Sequence, residues 1–264
     1  MTDLILYDIL GGPSPDKALA FSPNTWVVRY ALNLKGLKYR TVWIEYPDIE
    51  SVCKKLGAAP TAILPDGITP FYTLPVLQDL SKNTVVPDSL DIIAYLDKTY
   101  PDTQPIFPPG THGLYAAIKD TVEDILTMKI FPINIHAIVL LLNDRSAEYF
   151  RRTREGYFGA KLEDIAPPGS EKFIKSWQEI EAGLAKIAKW YDAAAAVVEG
   201  KGEGQVFLEG GKEPGFPEFY LASRLLWARV TLGETSEGWM KIKNLDSGRW
   251  GRFMDHIEQF GTIF

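Results

Sequence analysis

The spacing of apolar and polar residues changes part way along the chain. Short apolar runs predict strands at residues 4–7, 39–43, 75–77 and 84–86. Apolar residues at helical spacing predict helices at 23–35, 48–56 and 89–100. The order β-α-β-α-β-β-α indicates a small mixed sheet covered by helices.

After Pro101 the strand pattern ends and helical spacing dominates. The run "PIFPPG" at 105–110 is typical of a linker. Helices are predicted at 113–142, 171–192, 216–232 and 249–260. Pro132 should kink or break the first of them. We therefore expect an α/β domain at 1–101, a linker at 102–110 and an all-α domain at 111–264.

Composition and charge narrow the class of protein. The chain has 264 residues, of which 46% are apolar and 23% are charged, as in ordinary globular proteins. A net charge of -6 argues against nucleic acid or an anionic membrane as a main partner. One cysteine, Cys53, permits no internal disulfide, and no apolar run approaches the ~20 residues of a membrane span. A basic, apolar leader is not evident at the N-terminus, so a cytoplasmic location is expected.

A proline marks the start of the third predicted strand. Pro75 cannot donate a hydrogen bond to a sheet, so it belongs at the start of a strand or on an edge. A cis Leu74–Pro75 bond would turn the main chain of Leu74 outward, where it could pair with an extended peptide. An ordinary trans proline explains the same residues, and trans bonds are the common form.

Hydroxyl groups stand at the start of two predicted helices. The free N–H groups at a helix N-terminus favour an anion, so Ser89 could bind a carboxylate while Asp88 holds an ammonium group. Ser22 lies where a strand end and a helix start converge, a common ligand position in α/β sheets. Each residue could equally be a plain helix cap. In the loop around Ser22, Ser14 and Thr25 are rival hydroxyls.

The order of these features resembles the cytosolic glutathione transferases over nearly the whole chain. "SPNTWVVRYALNLKGLKY" is similar to the first helix and second strand of that family. "TLPVL" is similar to its cis-proline strand, and "PDSLDIIAYLDKTYP" to its helix that opens with an acid or amide and a serine. Within the family, the chain most resembles the bacterial β-etherases and the fungal etherase-related FuA class. The resemblance implies an α/β thioredoxin-like N-terminal domain and an all-α C-terminal domain.

The resemblance also implies glutathione as cosubstrate, with its thiol ionised. A free thiol has a pKa near ~8.5, so half ionisation at pH 7 needs about 2 kcal/mol. A hydrogen bond to a charged group supplies roughly 1.5–3 kcal/mol, and the resemblance assigns it to the Ser22 hydroxyl. The resemblance implies three further contacts with glutathione. Leu74 with Pro75 would hold the cysteinyl part, Asp88 with Ser89 the γ-glutamyl part, and Lys54 with Lys55 the glycine part. The two lysines are equally well explained as solvated charges.

The second substrate is expected between the two domains, against the first helix of the helical domain. Its candidate contacts are Trp26, Tyr115, Ile118, Val122 and Met128, although helical spacing explains these residues as core too. The resemblance to etherases suggests aromatic, lignin-derived or polyphenolic ligands and cleavage of aryl ethers, with thioether or deglutathionylation chemistry left open. It also implies a homodimer. A rival hypothesis is a non-catalytic binding protein for aromatic compounds on the same fold.

The sequence departs from the family pattern at one cap and offers no metal site. Gly215 stands where the family has a Ser or Thr cap, so it has no side chain to accept a bond, but Glu218 can still reach back to the cap N–H. Cys53 lies far from Ser22 in the sequence, so the cysteine-type branches of the family do not fit. It is interpreted as a small buried residue. The histidines, which show no ligand spacing, are His112, His136 and His256.

Overall fold

A computed structural model describes residues 3–197, 207–208 and 213–264. The chain forms two compact units. The first contains the residues up to Phe107 together with Leu140–Thr153 and Phe260–Phe264. The second contains Pro108–Val139 and Arg154–Gln259. Two later segments of the chain therefore return to the first unit.

The first unit is built on a four-stranded sheet. Its strands are Leu4–Ile9 (β1), Tyr39–Ile44 (β2), Val76–Asp79 (β5) and Thr84–Pro87 (β6). They lie in the order β2-β1-β5-β6, with β1 parallel to β2 and the other neighbours antiparallel. The carboxyl ends of β1, β2 and β6 therefore share one edge of the sheet with the amino end of β5.

Three helices follow β1, β2 and β6 and so begin at that shared edge. They are α1 (Pro23–Leu34), α2 (Ile49–Leu56) and α3 (Ser89–Thr99). Leu6 of β1, Val28 of α1 and Ile92 of α3 are all 0% exposed, because apolar side chains from sheet and helices form one core. The predicted element order is confirmed. A short hairpin of β3 (Ala62–Ile63) and β4 (Pro70–Phe71) lies in the stretch predicted as loop.

Beyond Thr111 the residues that the structure describes are mainly helical, as predicted. The helices are α4 (His112–Val122), α5 (Met128–Leu140), α6 (Asp144–Phe158), α7 (Glu171–Ala196), α8 (Phe216–Leu232) and α9 (Glu237–Ile257). The sequence pattern missed α6 and the first half of α9, whose backbone leaves helical geometry at 245–248. Within the described residues, no helix is long and apolar enough to cross a membrane.

Pro132 predicts a kink or break in the helix that contains it. It lies inside α5, and the helix is interrupted earlier in the chain than Pro132 itself. A π-helical turn, Glu123–Thr127, separates α4 from α5. Proline lacks an N–H and crowds the carbonyl four residues before it, which here belongs to Met128, the first residue of α5. The irregular turn thus comes just before the residue whose carbonyl loses its partner.

The weakened cap of α8 is completed by Glu218, as expected. Glu218 Oε2 accepts a hydrogen bond from the N–H of Gly215 at 2.9 Å. Its Oε1 accepts from the N–H of Leu208 at 2.9 Å and from the hydroxyl of Tyr191 at 3.3 Å. Burial, together with the Glu218 carboxylate, raises the pKa of Tyr191 well above its ordinary value. Glu218 therefore supplies its own half of the capping box and also holds Leu208 and Tyr191 at the start of α8.

Candidate functional site

The sheet brings the predicted glutathione residues of the first unit toward one edge. Val76 lies opposite Tyr7 of β1 and opposite Pro87 of β6. Leu74 and Pro75, which precede Val76, thus lie at the same edge as Asp88, which follows Pro87. Ser22 directly precedes α1, which begins beyond the carboxyl end of β1. Ligands commonly gather at this edge of α/β sheets.

The Leu74–Pro75 bond is cis, which confirms the prediction. Leu74 is 4% exposed, and Pro75 is buried directly before the first residue of β5. A residue of α2 contacts the chain just before this turn. Cys53 Sγ lies 3.9 Å from the carbonyl oxygen of Thr73, and burial raises the pKa of the Cys53 thiol. Cys53 is 1% exposed, as its interpretation as a small buried residue expected.

Ser22 occupies the cap position of α1 without acting as a side-chain cap. Its hydroxyl makes no hydrogen bond to the first turn of the helix, although Pro23 follows at the first helical position. Ser22 Oγ instead accepts a hydrogen bond from Thr25 Oγ1 at 3.3 Å. Ser22 is 4% exposed, so its side chain is largely shielded from solvent. Its own hydrogen remains available for a ligand.

Asp88 and Ser89 divide two tasks at the start of α3. Asp88 Oδ1 accepts a hydrogen bond from the N–H of Leu90 at 2.8 Å, so Asp88 is the helix cap. It does so at φ 68°, a value that is strained for a residue other than glycine. Ser89 is 6% exposed, and its hydroxyl has no hydrogen-bond partner among the residues that the structure describes. The cap therefore leaves the second carboxylate oxygen of Asp88 and the hydroxyl of Ser89 for a ligand.

A buried ion pair that the sequence pattern did not reveal lies behind Ser22. Arg29 Nη2 lies 2.7 Å from Asp8 Oδ2, and both side chains are 0% exposed. Burial raises the pKa of the Asp8 carboxyl above its ordinary value, although Arg29 and Thr25 act to lower it. The sequence contains only two hints of this ion pair: an acid, Asp8, at the end of an apolar strand and a base, Arg29, within the apolar part of α1.

The two candidate lysines lie in the last turn of α2. Lys54 Nζ lies 2.7 Å from Glu50 Oε1 and 5.6 Å from the centre of the Tyr72 ring. Lys54 therefore lies beside the segment that leads to Leu74, but its charge is already paired with Glu50. Lys55 is exposed.

A hollow of about 340 Å³ lies near the carboxyl ends of β1 and β2. It includes neither Ser22 nor the Leu74–Ser89 region, and it carries two carboxylates and no lysine. Its lining consists of Leu10, Pro13, Ser14, Pro15, Trp43, Ile44, Glu45, Asp48, Ser51, Val52 and Asn143. In the part of the chain that the structure covers, no group of three or more His, Cys, Asp or Glu could hold a metal ion.

The predicted contacts of the second substrate differ in burial. Trp26 is 6% exposed and donates a hydrogen bond from Nε1 to the carbonyl of Ala20 at 3.0 Å. Tyr115 and Val122 are each 2% exposed within the helical unit, where Tyr115 stacks on Phe216 at 5.6 Å. Ile118 is half-buried, and Met128 is 53% exposed. Packing accounts for the first three, whereas the last two keep surface that a ligand could contact.

Comparison with known families matches both parts of the chain. The family model described as "Glutathione S-transferase, C-terminal domain" matches residues 113–260, and the corresponding N-terminal domain model matches residues 18–104. The glutathione S-transferase-like protein ustS of Aspergillus flavus is 30% identical over 246 residues, covering 89% of this chain and 83% of that protein.

Two solved structures are similar over the whole chain. The glutathione S-transferase CsGST63524 of Ceriporiopsis subvermispora, in complex with glutathione, is 42% identical with a TM-score of 0.89 and covers 100% of this chain and 99% of that one. The glutathione transferase GSTFuA3 of Phanerochaete chrysosporium is 42% identical with a TM-score of 0.87, at the same coverage. The resemblance to the FuA class is thereby confirmed. The β-etherase LigF of Sphingobium sp., 14% identical with a TM-score of 0.59, shares the fold.

Proposed function

Because the chain belongs to the glutathione S-transferase family, we propose that it joins the thiolate of glutathione to hydrophobic, aromatic electrophiles. In this proposal Ser22 donates a hydrogen bond to the sulfur. The observation that carries the proposal is the hydroxyl of Ser22, which stands at a helix N-terminus, does not cap that helix, and keeps its own hydrogen to donate.

The energy available to Ser22 matches the task. Holding the thiol half ionised at pH 7 needs about 2 kcal/mol, and a hydrogen bond to a charged atom contributes roughly 1.5–3 kcal/mol. The N-terminus of α1 adds roughly 0.3–1 kcal/mol, because its dipole favours a negative charge. Ser22 therefore acts as a donor and forms no covalent bond.

The remaining residues at the sheet edge bind the peptide in this proposal. The main chain of Leu74 pairs with the cysteinyl residue, as an added strand would. Ser89 binds the α-carboxylate of the γ-glutamyl residue at the N-terminus of α3, and the free oxygen of Asp88 accepts from its ammonium group. Lys54 and Lys55 are candidates for the glycine carboxylate, although Lys54 must first leave Glu50.

The proposed reaction is a displacement. The thiol loses its proton to solvent, and the thiolate attacks a carbon that bears a leaving group. A carbon–sulfur bond forms while the bond from carbon to the leaving group breaks. With an aryl ether the leaving aryloxide takes the bonding pair and then a proton from solvent. We propose lignin-derived aryl ethers or polyphenols as the substrate class, with a homodimer as the assembled form.

The test is the replacement Ser22→Ala, with Ser14→Ala as a control in the same loop. If Ser22 stabilises the thiolate, Ser22→Ala lowers kcat/KM for glutathione transfer by about 10- to 150-fold and raises the pKa of the bound thiol. Ser14→Ala should change neither quantity. If Ser22 only supports its helix, its replacement costs about 1 kcal/mol of unfolding free energy and leaves the rate unchanged.

A panel of aryl ethers, isothiocyanates and phenacyl-glutathione as substrates separates the reaction types, and binding without turnover would favour the ligand-binding alternative.

A further inference from the structure

Thr25 lies one helical turn after Ser22, and two acceptors lie near its hydroxyl. Oγ1 lies 3.3 Å from Ser22 Oγ with Thr25 as donor. Thr25 also acts to lower the pKa of the Asp8 carboxyl, so that carboxylate is the competing acceptor. A threonine hydroxyl has one hydrogen, so it can donate to only one of these oxygens at a time. Thr25 is 0% exposed, so any effect on a ligand must pass through a neighbour.

Asp8 has other donors and does not depend on Thr25. The N–H of Ile9 donates to Asp8 Oδ1 at 2.7 Å, and Arg29 Nη2 donates to Asp8 Oδ2 at 2.7 Å. Arg29 is itself held from the other side by hydroxyls of β2, because its Nη1 lies 3.2 Å from Tyr39 and 3.1 Å from Thr41. The carboxylate thus keeps two hydrogen bonds, one of them from a charged guanidinium, when the hydrogen of Thr25 points elsewhere.

The direction of the Thr25 hydrogen decides what Ser22 can do. When Thr25 donates to Ser22, the serine oxygen is an acceptor and its own hydrogen is free for the glutathione sulfur. When Thr25 donates to Asp8, its oxygen can instead accept the hydrogen of Ser22, which is then not available to the sulfur. A chain of aligned hydroxyls also polarises each bond along it.

We propose that Thr25 is a positioning residue, which donates its hydrogen to Ser22 and so directs the hydroxyl of Ser22 at the glutathione thiolate. This inference rests on the proposed role of Ser22. Ile9 and Arg29 satisfy the Asp8 carboxylate at the end of β1, which leaves the hydrogen of Thr25 for Ser22.

The test compares three variants of the full chain. Thr25→Val keeps the shape of the side chain and removes the hydroxyl, whereas Thr25→Ser keeps the hydroxyl. Thr41→Val is the matched control, because it removes a different hydroxyl partner of the Asp8–Arg29 pair that has no contact with Ser22. The pKa of bound glutathione is measured from the ultraviolet absorbance of the thiolate, together with kcat/KM and the thermal midpoint. Thr25→Ala serves as a second hydroxyl-free variant if Thr25→Val folds poorly.

Loss of the hydroxyl at position 25 should lower kcat/KM by about 2- to 12-fold and raise the pKa of the bound thiol by about half a unit to one unit. Thr25→Ser should restore both quantities, and Thr41→Val should change only the thermal midpoint. An unchanged or lowered thiol pKa in Thr25→Val overturns the inference, as does an equal rise in Thr41→Val. If Ser22→Ala also leaves the thiol pKa unchanged, the proposed function fails with it. If Ser22→Ala raises that pKa and Thr25→Val does not, only the role of Thr25 is lost.

Discussion

Four serines stand at the starts of helices, and they fall into two groups: two cap their helix with the side chain and two do not. Ser170 and Ser236 cap α7 and α9, each accepting a hydrogen bond from the N–H three residues later at 3.1 Å. Ser22 precedes α1 in the same way and makes no such bond, while Asp88 caps α3 and leaves the hydroxyl of Ser89 without that task. The sequence pattern places Ser22, Ser89 and Ser170 at helix starts, but it misses the helix that begins after Ser236. Only the geometry of each hydroxyl separates the caps from the two that are proposed to bind a ligand.

Replacement of Ser89 by alanine tests this distinction. We expect the Kd of glutathione to rise by roughly 10- to 150-fold, because a hydrogen bond to a buried carboxylate contributes roughly 1.5–3 kcal/mol. The pKa of the bound thiol should stay near its wild-type value, since Ser89 is assigned to the other end of the peptide. Titration calorimetry measures the first quantity, and thiolate absorbance measures the second.

The control for Ser89→Ala is Ser236→Ala. It removes a true cap, so it should cost about 1 kcal/mol of unfolding free energy and leave glutathione affinity unchanged. An unaltered Kd in Ser89→Ala would remove Ser89 from the site.

At the scale of elements, the π-helical turn between α4 and α5 sets how closely α7 can approach. A Cβ atom added to Gly183 of α7 would overlap the carbonyl oxygen of Ile125 and lie 3.1 Å from the carbonyl carbon. These are main-chain atoms, which cannot swing aside as the tip of a long side chain can. The glycine at position 183 is therefore required by packing.

Gly183→Ala should destabilise the protein although alanine is the better helix former. Alanine gains roughly 0.5–1 kcal/mol over glycine inside a helix, whereas overpacking costs typically 1–3 kcal/mol. Gly156→Ala in α6 is the matched control, because a Cβ added there meets nothing within 4 Å. Denaturant unfolding should show a lower midpoint for Gly183→Ala and an equal or higher one for Gly156→Ala. Equal midpoints would mean that the two helices separate at little cost.

The elements that the sequence predicted are those with a continuous apolar pattern. The pattern of α7 is a stripe of buried side chains that recur at helical spacing, whereas α8 is apolar and buried along most of its length. α6 was missed because it buries only Ser146 and Phe150, so its sequence has almost no apolar stripe. The order of the site residues was predictable, since caps and prolines leave a local signal. The Asp8–Arg29 pair and the contact of Gly183 were not, because each depends on residues far apart in the sequence.

At the scale of the whole chain, two later segments complete the first unit. Arg145 of α6 forms two hydrogen bonds with the carboxylate of Asp48, at 2.5 and 2.6 Å, and the Phe150 ring lies 5.3 Å from that of Tyr46. The N–H of Tyr46 donates to Ser146 Oγ at 3.2 Å. These contacts hold the turn that starts α2, next to the edge of the sheet where the candidate site lies.

The last residues cover β2, which is an outer strand of the sheet. β2 is an edge strand, and the N–H of Thr41 donates to the carbonyl oxygen of Phe264 at 2.8 Å. The hydroxyl of Tyr39 and the amide of Asn33 both donate to the carbonyl of Thr262, at 3.0 and 2.8 Å. Uncovered edge strands pair with other chains, so this segment protects β2 against association.

Truncation after Phe260 should therefore expose β2 while leaving the core intact. Each lost hydrogen bond contributes about 0.5–1.5 kcal/mol, so we expect a loss of about 2–4 kcal/mol in unfolding free energy and an increased tendency to aggregate. The decisive measurement is hydrogen exchange at the amide of Thr41, which should be protected in the full chain and exchange rapidly in the truncated one. Phe264→Ala is the control, because it removes the ring that lies 5.4 Å from Tyr39 but keeps the carbonyl that accepts from Thr41. Equal protection of Thr41 in the full and truncated chains would show that the final residues do not hold the edge.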